Sequence, residues 1–304
     1  MRPQGPQRQH FAKDASVAVA LMLVACALVA ATTLMAKLLG PAAAGEAALH
    51  PLQVSAGRFV FAFLTLLPFI VWLRVDFRGA SWTNHLLRVI FGWAGVSCLF
   101  AASALMRLAD ATAISFLNPI VAMILSIPLL GERVGPWRWA GAAVAFAGAA
   151  ILTEPGTAAF QPVAMIALLA AVFMGVEAVL IKKLSDSEPP LRILVISNGL
   201  GALVALGAAS FFWKWPTPGQ WGLLALLGVT MVSVQALFIQ AVRRGDASFV
   251  IPFLYTTLIF AGFYDFVVFG EVPALAGWVG AALIVAGALT IAWRERLRRA
   301  AGGD

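Results

Sequence analysis

The chain has 304 residues, 62% of them hydrophobic and only 12% charged, whereas soluble domains run near half apolar and a quarter charged; nearly all of it belongs in lipid or in a lipid-embedded bundle. The formal charge of +7 does not point to nucleic acid, because the basic residues gather at the ends of apolar runs on alternating loops, as a topology signal does. Cys26 and Cys98 lie inside apolar runs and form no CxxC pair, and His10, His50 and His85 are scattered. That argues against a structural disulfide and gives no metal-site spacing.

Residues 1–16 are rich in Gln, Pro and Arg and are expected to form a disordered cytoplasmic lead. Ten apolar runs follow, each able to supply the roughly 20 residues of a helical span. The runs do not alternate, so a barrel is excluded, and helices satisfy their own backbone in lipid. The first run, Val17–Leu39, follows basic residues as a signal peptide would, but it is too long and stays as an uncleaved span. The others are Leu52–Leu73, His85–Met106, Ala111–Leu130, Trp137–Leu152, Val163–Lys182, Arg192–Trp213, Trp221–Val242, Ala247–Phe269 and Leu275–Trp293, with a basic tail at 294–304. Even-numbered loops carry Arg74, Arg78 and Arg88, then Arg133 and Arg138, then Lys182, Lys183 and Arg192, then Arg243 and Arg244; odd-numbered loops hold only Lys37, Arg107 and Lys214. This asymmetry places both termini in the cytoplasm.

One stretch occurs twice. Arg107, Asp110, Glu132, Trp139, Gly141 and Gly148 are answered by Arg243, Asp246, Glu271, Trp278, Gly280 and Gly287. The intervals agree (110−107 = 246−243 = 3; 139−132 = 278−271 = 7; 148−141 = 287−280 = 7), and only the apolar run between Asp and Glu differs, 22 against 25. The expected fold is therefore all-α and integral to the membrane: ten transmembrane helices as two five-helix repeats, 17–153 and 163–293. Five is odd, so the second repeat is inserted upside down. The same motif then sits on both sides, which suits alternating access and not a pocket for one cytosolic ligand.

With these residues the chain resembles the drug/metabolite transporter superfamily, in particular its EamA-type members with ten helices. The resemblance rests on Leu108-Ala-Asp-Ala-Thr-Ala-Ile-Ser-Phe-Leu-Asn-Pro119, on Leu130-Gly-Glu132 with Trp139 and Gly148, and on Phe269-Gly-Glu-Val-Pro273 with Gly280 and Gly287; Arg58-Phe59 looks like that family's Arg-Phe pair. It implies that spans 1, 3, 4, 6, 8 and 9 line a central cavity and that spans 5 and 10 pack at the periphery or in a dimer. Asp265, in Phe263-Tyr-Asp-Phe266, departs from the aromatic or small residue usual there.

Glu177 lies deep in span 6 by chain position, and an ionised group in hydrocarbon faces a cavity or a partner. It is expected either to bind a substrate amine or a coupling proton, or to pair with a neighbouring cation such as Lys182 or Lys183. Arg58 could bind a carboxylate or phosphate, or clamp a loop or carboxylate from span 2. Asp265 could gate or take a proton, or sit at the headgroup level beside Tyr264. Lys37 aligns with Lys183 (183−37 = 146) and fits a helix C-terminus by its dipole as well as a coupling or gating role. Asp110 and Asp246 read as N-caps of spans 4 and 9, and Glu132 and Glu271 as residues that close the next turn against loop backbone or Arg133. Asn118-Pro119 interrupts span 4, where a freed carbonyl can line a cavity, and Pro252 does the same in span 9. Asn118, Phe116, Tyr255, Gln235, Ser97 and Trp93 are the lining candidates. The small face Gly141, Ala145 and Gly148, with Gly280 and Gly287, permits close helix packing inside the chain or a homodimer through spans 5 and 10.

The function expected is secondary transport of a small metabolite across a bacterial inner membrane, driven by protons or exchange. No P-loop signature is present in the sequence, so an ATP-driven pump is disfavoured. Amino-acid or metabolite export comes first, from Glu177. Vitamin or cofactor uptake, riboflavin-like or S-adenosylmethionine-like, is the alternative, favoured by the aromatic candidates. An intramembrane transferase would need a His/Asp or multi-carboxylate cluster that these histidines do not supply. The expected partners are a small molecule, the bilayer and a proton, without nucleic acid, metal or cofactor, in a monomer or homodimer.

Overall fold

The computed structural model describes residues 7–44, 47–73, 75–130, 136–153, 162–185, 187–244, 251–272 and 274–300, and among these every regular element is helical. In chain order they are α1 (Gln7–Leu39), α2 (Pro41–Ala44), α3 (Pro51–Leu73), α4 (Trp82–Leu105), α5 (Leu108–Ser115), α6 (Asn118–Leu130), α7 (Pro136–Thr153), α8 (Val163–Ser185), α9 (Pro190–Ala209), α10 (Pro218–Arg244), α11 (Thr257–Phe269) and α12 (Leu275–Ala300). Among the described residues seven helices are long and apolar enough to cross a membrane, and three shorter apolar helices, Trp139–Ile151, Phe253–Phe269 and Leu275–Gly287, fall where spans 5, 9 and 10 were expected.

Three boundaries differ from expectation. Helix α1 begins at Gln7, inside the lead expected to be disordered, and α12 continues through the basic tail to Ala300. Gln, Arg, Lys and Ala are good helix formers, so the hydrogen-bond ladder of each span runs on past its apolar part. Helix α4 begins at Trp82, three residues before the expected start, and this moves Arg88 from a span edge into the helix interior.

Span 4 is broken. Phe116 and Leu117 separate α5 from α6, and the Leu117 N–H donates to Ile114 O at 3.1 Å in a tightened turn just ahead of Pro119, whose ring supplies no donor. Span 9 opens with a 3₁₀ turn, Ile251–Thr256, which contains Pro252. The two matching spans are thus irregular at corresponding places.

Equivalent helices of the two repeats run antiparallel. On α3 and α9, Phe59 packs against Gly201 and Phe63 against Gly199, while Gln53 exchanges hydrogen bonds with the Lys214 backbone. The pairing descends one helix as it climbs the other. On α7 and α12, Gly148 abuts the Gly280 carbonyl and Gly287 abuts the Gly141 carbonyl, so closely that a methyl on Gly148 would lie 2.6 Å from that oxygen. Glycine at each crossing lets the two backbones meet. A twofold along the membrane normal would make such pairs parallel, so the halves are inverted. The small faces of α7 and α12 are used inside the chain.

The repeats then interleave. Helix α4 packs on α8, and α10 packs on α1. These crossings are equivalent: α4 and α10 start 136 residues apart (218−82), and α1 and α8 end 146 apart (185−39).

Candidate functional site

The polar residues of the interior converge at the α4–α8 crossing. Arg88 projects from α4 and its Nη2 lies 3.5 Å from Glu177 Oε1 on α8. Gly92, one turn beyond Arg88, makes room for the acid, since a methyl there would lie 2.7 Å from Glu177 Cδ. Arg58 comes in from α3, Ser197 and Asn198 from α9, and Gln235 from α10; with Trp93 they line a polar hollow of about 40 Å³. Ser97 follows Trp93 one turn along α4 and is buried.

The electrostatics are uneven. Two guanidinium groups, 6% and 8% exposed, face one carboxylate. Arg58 Nη1, Arg88 Nε and Nη1 and Trp93 Nε1 have no hydrogen-bond partner among the described residues, nor has the acceptor Gln235 Oε1. Buried donors without partners are costly, and an isolated charge in hydrocarbon more so, so this packing is maintained against its local energy. At about 40 Å³ the hollow has room for a few waters and is far below the roughly 300–1,000 Å³ of ligand pockets. A metabolite fits only when helices move.

The structure brings Glu177, Arg58, Gln235 and Trp93 together with Ser97 nearby, and adds three residues that sequence reasoning missed: Arg88, Ser197 and Asn198. Spans 2 and 7 line the hollow, contrary to the resemblance, which left both out. The long Arg58 side chain and the glycine-bearing face of α9 bring them to the centre. Arg88, three residues after the expected start at His85, was read as a cation flanking the loop. Asn118, Phe116 and Tyr255 lie elsewhere: Phe116 and Tyr255 stack edge to face at 5.2 Å where spans 4 and 9 meet, and the Asn118 carbonyl packs against Gly175 of α8.

A second charged cluster closes the bundle end that carries Lys37. Lys37 Nζ lies 2.9 Å from Asp265 Oδ1 and 3.1 Å from Glu271 Oε2, and 4.2 Å from the Phe269 ring centre. Asp265 is 1% exposed, and its Oδ2 accepts the Ala109 N–H at 3.0 Å. It therefore caps α5 from another helix, satisfying an N-terminal donor. Asp110 is not the N-cap expected of it: α5 starts at Leu108 after Arg107, and Asp110 sits in the first turn, paired at 2.6 Å with Arg107 Nε. Gly270, at φ +68°, ends α11 in a left-handed turn with Glu271 N–H donating to Asp265 O at 3.2 Å, and this turn aims Glu271 at Lys37; Arg133 lies outside the described residues. Lys183, the mate of Lys37, is exposed. Asp246 and Glu132 lie outside the described residues.

A third cluster ties loops at the opposite end. His85 Nε2 lies 2.9 Å from Glu188 Oε2, the Ser81 N–H donates to Glu188 Oε1 at 2.9 Å, and Arg192 Nε donates to Asp76 O at 2.6 Å. Burial pushes the Glu188 carboxyl up, but the Ser81 N–H and then His85 and Arg192 outweigh it, so it titrates below its ordinary range. Among the described residues no His, Cys, Asp or Glu group forms a metal-binding cluster.

Residues 16–154 and 161–293 each match the model of the EamA-like transporter family. An S-adenosylmethionine uptake transporter of Rickettsia bellii (strain RML369-C) is 27% identical over 285 residues, covering 93% of this chain and 96% of that protein. A riboflavin transporter of Rhizobium johnstonii is 31% identical over 247 residues, covering 80% of each. A pseudopaline exporter CntI of Pseudomonas aeruginosa is 27% identical over 208 residues, covering 68% of this chain and 73% of its own. One solved crystal structure superposes with a TM-score of 0.63 at 20% identity, over 92% of this chain and 98% of that one; the likeness concerns the fold.

Proposed function

The chain belongs to the EamA-like transporter family, and we propose that it takes up a small cofactor-type metabolite, S-adenosylmethionine or a close analogue, by alternating access. It is a multi-pass membrane protein of the drug/metabolite transporter superfamily. The observation that carries the reading is the buried Arg58–Arg88–Glu177 centre, enclosed where helices of both inverted repeats, 17–153 and 163–293, meet. The basic loops put both termini in the cytoplasm, so the Lys37 end faces outward and its ion pairs form the outer gate. Glu177 is the coupling group, exchanging a proton or a substrate amine for Arg88. The uptake direction is supported by the relatives that cover most of this chain. Metabolite export is the second reading, favoured by the similarity to the pseudopaline exporter.

Purified protein in liposomes tests it. Labelled S-adenosylmethionine should accumulate saturably and chemically unaltered, and a Glu177→Gln variant that remains monodisperse should lose coupled accumulation. Full activity in that variant removes Glu177 from the coupling step.

A further inference from the structure

A cavity of about 700 Å³ lies at the end of the bundle that carries Lys37, between the ends of α3, α4 and α9. That is within the roughly 300–1,000 Å³ of ligand pockets. Its walls are held in place. Gln53, which is buried, exchanges hydrogen bonds with the Lys214 backbone. Gln220 Nε2 donates to Ala47 O at 2.7 Å, and the Leu49 N–H donates to Leu39 O at 2.9 Å, which fixes the loop that brings in Ala48 and His50. The His50 ring lies flat on Phe212, with 4.2 Å between ring centres and 9° between planes, and its Nδ1 accepts the Leu52 N–H at 3.3 Å. A neutral imidazole that accepts at one nitrogen donates at the other, so Nε2–H is the donor. Burial lowers the His50 pKa, which keeps the ring neutral at pH 7.

Lys214 adds a positive charge to this lining, and no acidic side chain is among the described residues that line the cavity. The polar side therefore complements an anionic acceptor. The other side is apolar: Leu105, Phe211 and Phe212 line the cavity and are exposed. A small soluble anion would leave those side chains uncovered, whereas an anion carrying hydrocarbon chains satisfies both sides. Three membrane-length spans end here, at Pro51, Leu105 and Phe212, and the ends of spans meet the lipid headgroups. We propose that the cavity holds the headgroup of an anionic phospholipid, its phosphate on Lys214 and His50 Nε2–H and its acyl chains along Leu105, Phe211 and Phe212. Such a lipid bridges the ends of the helices that carry Arg58, Arg88, Ser197 and Asn198 to the polar hollow. Arg58 follows Pro51 by seven residues (58−51 = 7), roughly 10 Å of helix. The bilayer thereby bears on the hollow through a bound lipid, whichever metabolite the hollow takes.

Native mass spectrometry of the purified full chain tests this without a transport assay. The unmutated protein should retain phosphatidylglycerol in preference to phosphatidylcholine, and glycerol 3-phosphate, which offers the phosphate without chains, should not displace it. Lys214→Gln should lower the retention about fivefold, the effect of removing one lysine from an anionic lipid surface. Ala48→Phe fills the cavity without changing charge and should lower it as far, whereas lipid held only by the general charge of the surface would not respond. Equal retention by the three proteins, or of the two lipids, assigns the lipid to the layer around the bundle and overturns the proposal. Displacement by glycerol 3-phosphate overturns it as well, because the cavity would then be a site for a soluble anion.

Discussion

The crossing of α4 on α8 and the crossing of α1 on α10 are copies of each other, yet only one is polar. The interval of 146 that joins Lys37 to Lys183 places Ala31 opposite Glu177 (177−31 = 146). The interval of 136 that joins Arg107 to Arg243 places Leu224 opposite Arg88 (224−88 = 136) and Gly228 opposite Gly92 (228−92 = 136). Ala31 and Leu224 belong to one apolar cluster with Leu39, Phe100 and Leu227, and Gly228 admits the Phe61 backbone where Gly92 admits Glu177. The shared glycine meets α3 in one copy and α8 in the other. The ionic pair turns one of them into a site. Duplication supplied the architecture, and departure from symmetry supplied the chemistry.

The bundle ends repeat the lesson. Lys37 is sealed by Asp265 and Glu271, while Lys183 is exposed, and the position matching Asp265 is Ser126 (265−126 = 271−132 = 139). One aspartate distinguishes a locked end from its mate.

Breaking the polar crossing should have the largest effect. Arg88→Leu leaves Glu177 buried without its cation, and losing one partner of a buried pair costs about 3–5 kcal/mol. We expect a fall in thermal stability in detergent that Glu177→Ala, added to it, largely restores. The glycine seam comes next. Gly148→Ala and Gly287→Ala each drive a methyl into a backbone carbonyl of the facing helix, and overpacking costs about 1–3 kcal/mol. Because the seam is reciprocal, the two losses should agree, which melting of the purified variants would check. At the sealed end, Asp265→Asn removes the charge facing Lys37 and weakens the acceptor for Ala109 N–H. Thiol labelling of Leu38→Cys should rise with it, whereas Ser126→Asp should protect Leu184→Cys, making the two ends alike.

The smallest effect concerns pH. The Glu188 carboxyl is depressed in the fold, so its stabilisation is full above the ordinary carboxylate range and is lost as pH falls through the lower folded value. As pH falls below the ordinary carboxylate range, the wild type should lose melting temperature more steeply than Glu188→Gln.

The inverted repeats were legible in the sequence because duplication preserves intervals, and an odd number of spans forces the inversion. Glu177 was legible as a charge deep in an apolar run. Arg88 was not, since three residues from the expected helix start it read as a span-edge cation, and the earlier start at Trp82 carries it inward; Gly92 one turn on was a usable signal. The pairing of Lys37 with Asp265 spans 228 residues, and no local pattern reports a contact of that separation. Asn118 and Tyr255 lie outside the polar hollow, and a proline kink tells where a helix bends and not which cavity it bends toward.

The account stands most directly on the exchange of one crossing for the other. Arg88→Leu with Glu177→Ala copies the Ala31–Leu224 arrangement into the polar crossing. Reconstituted in liposomes, this double variant should remain folded and monodisperse and carry no S-adenosylmethionine above empty vesicles; transport at the wild-type rate would contradict the claim that the ionic crossing is the site.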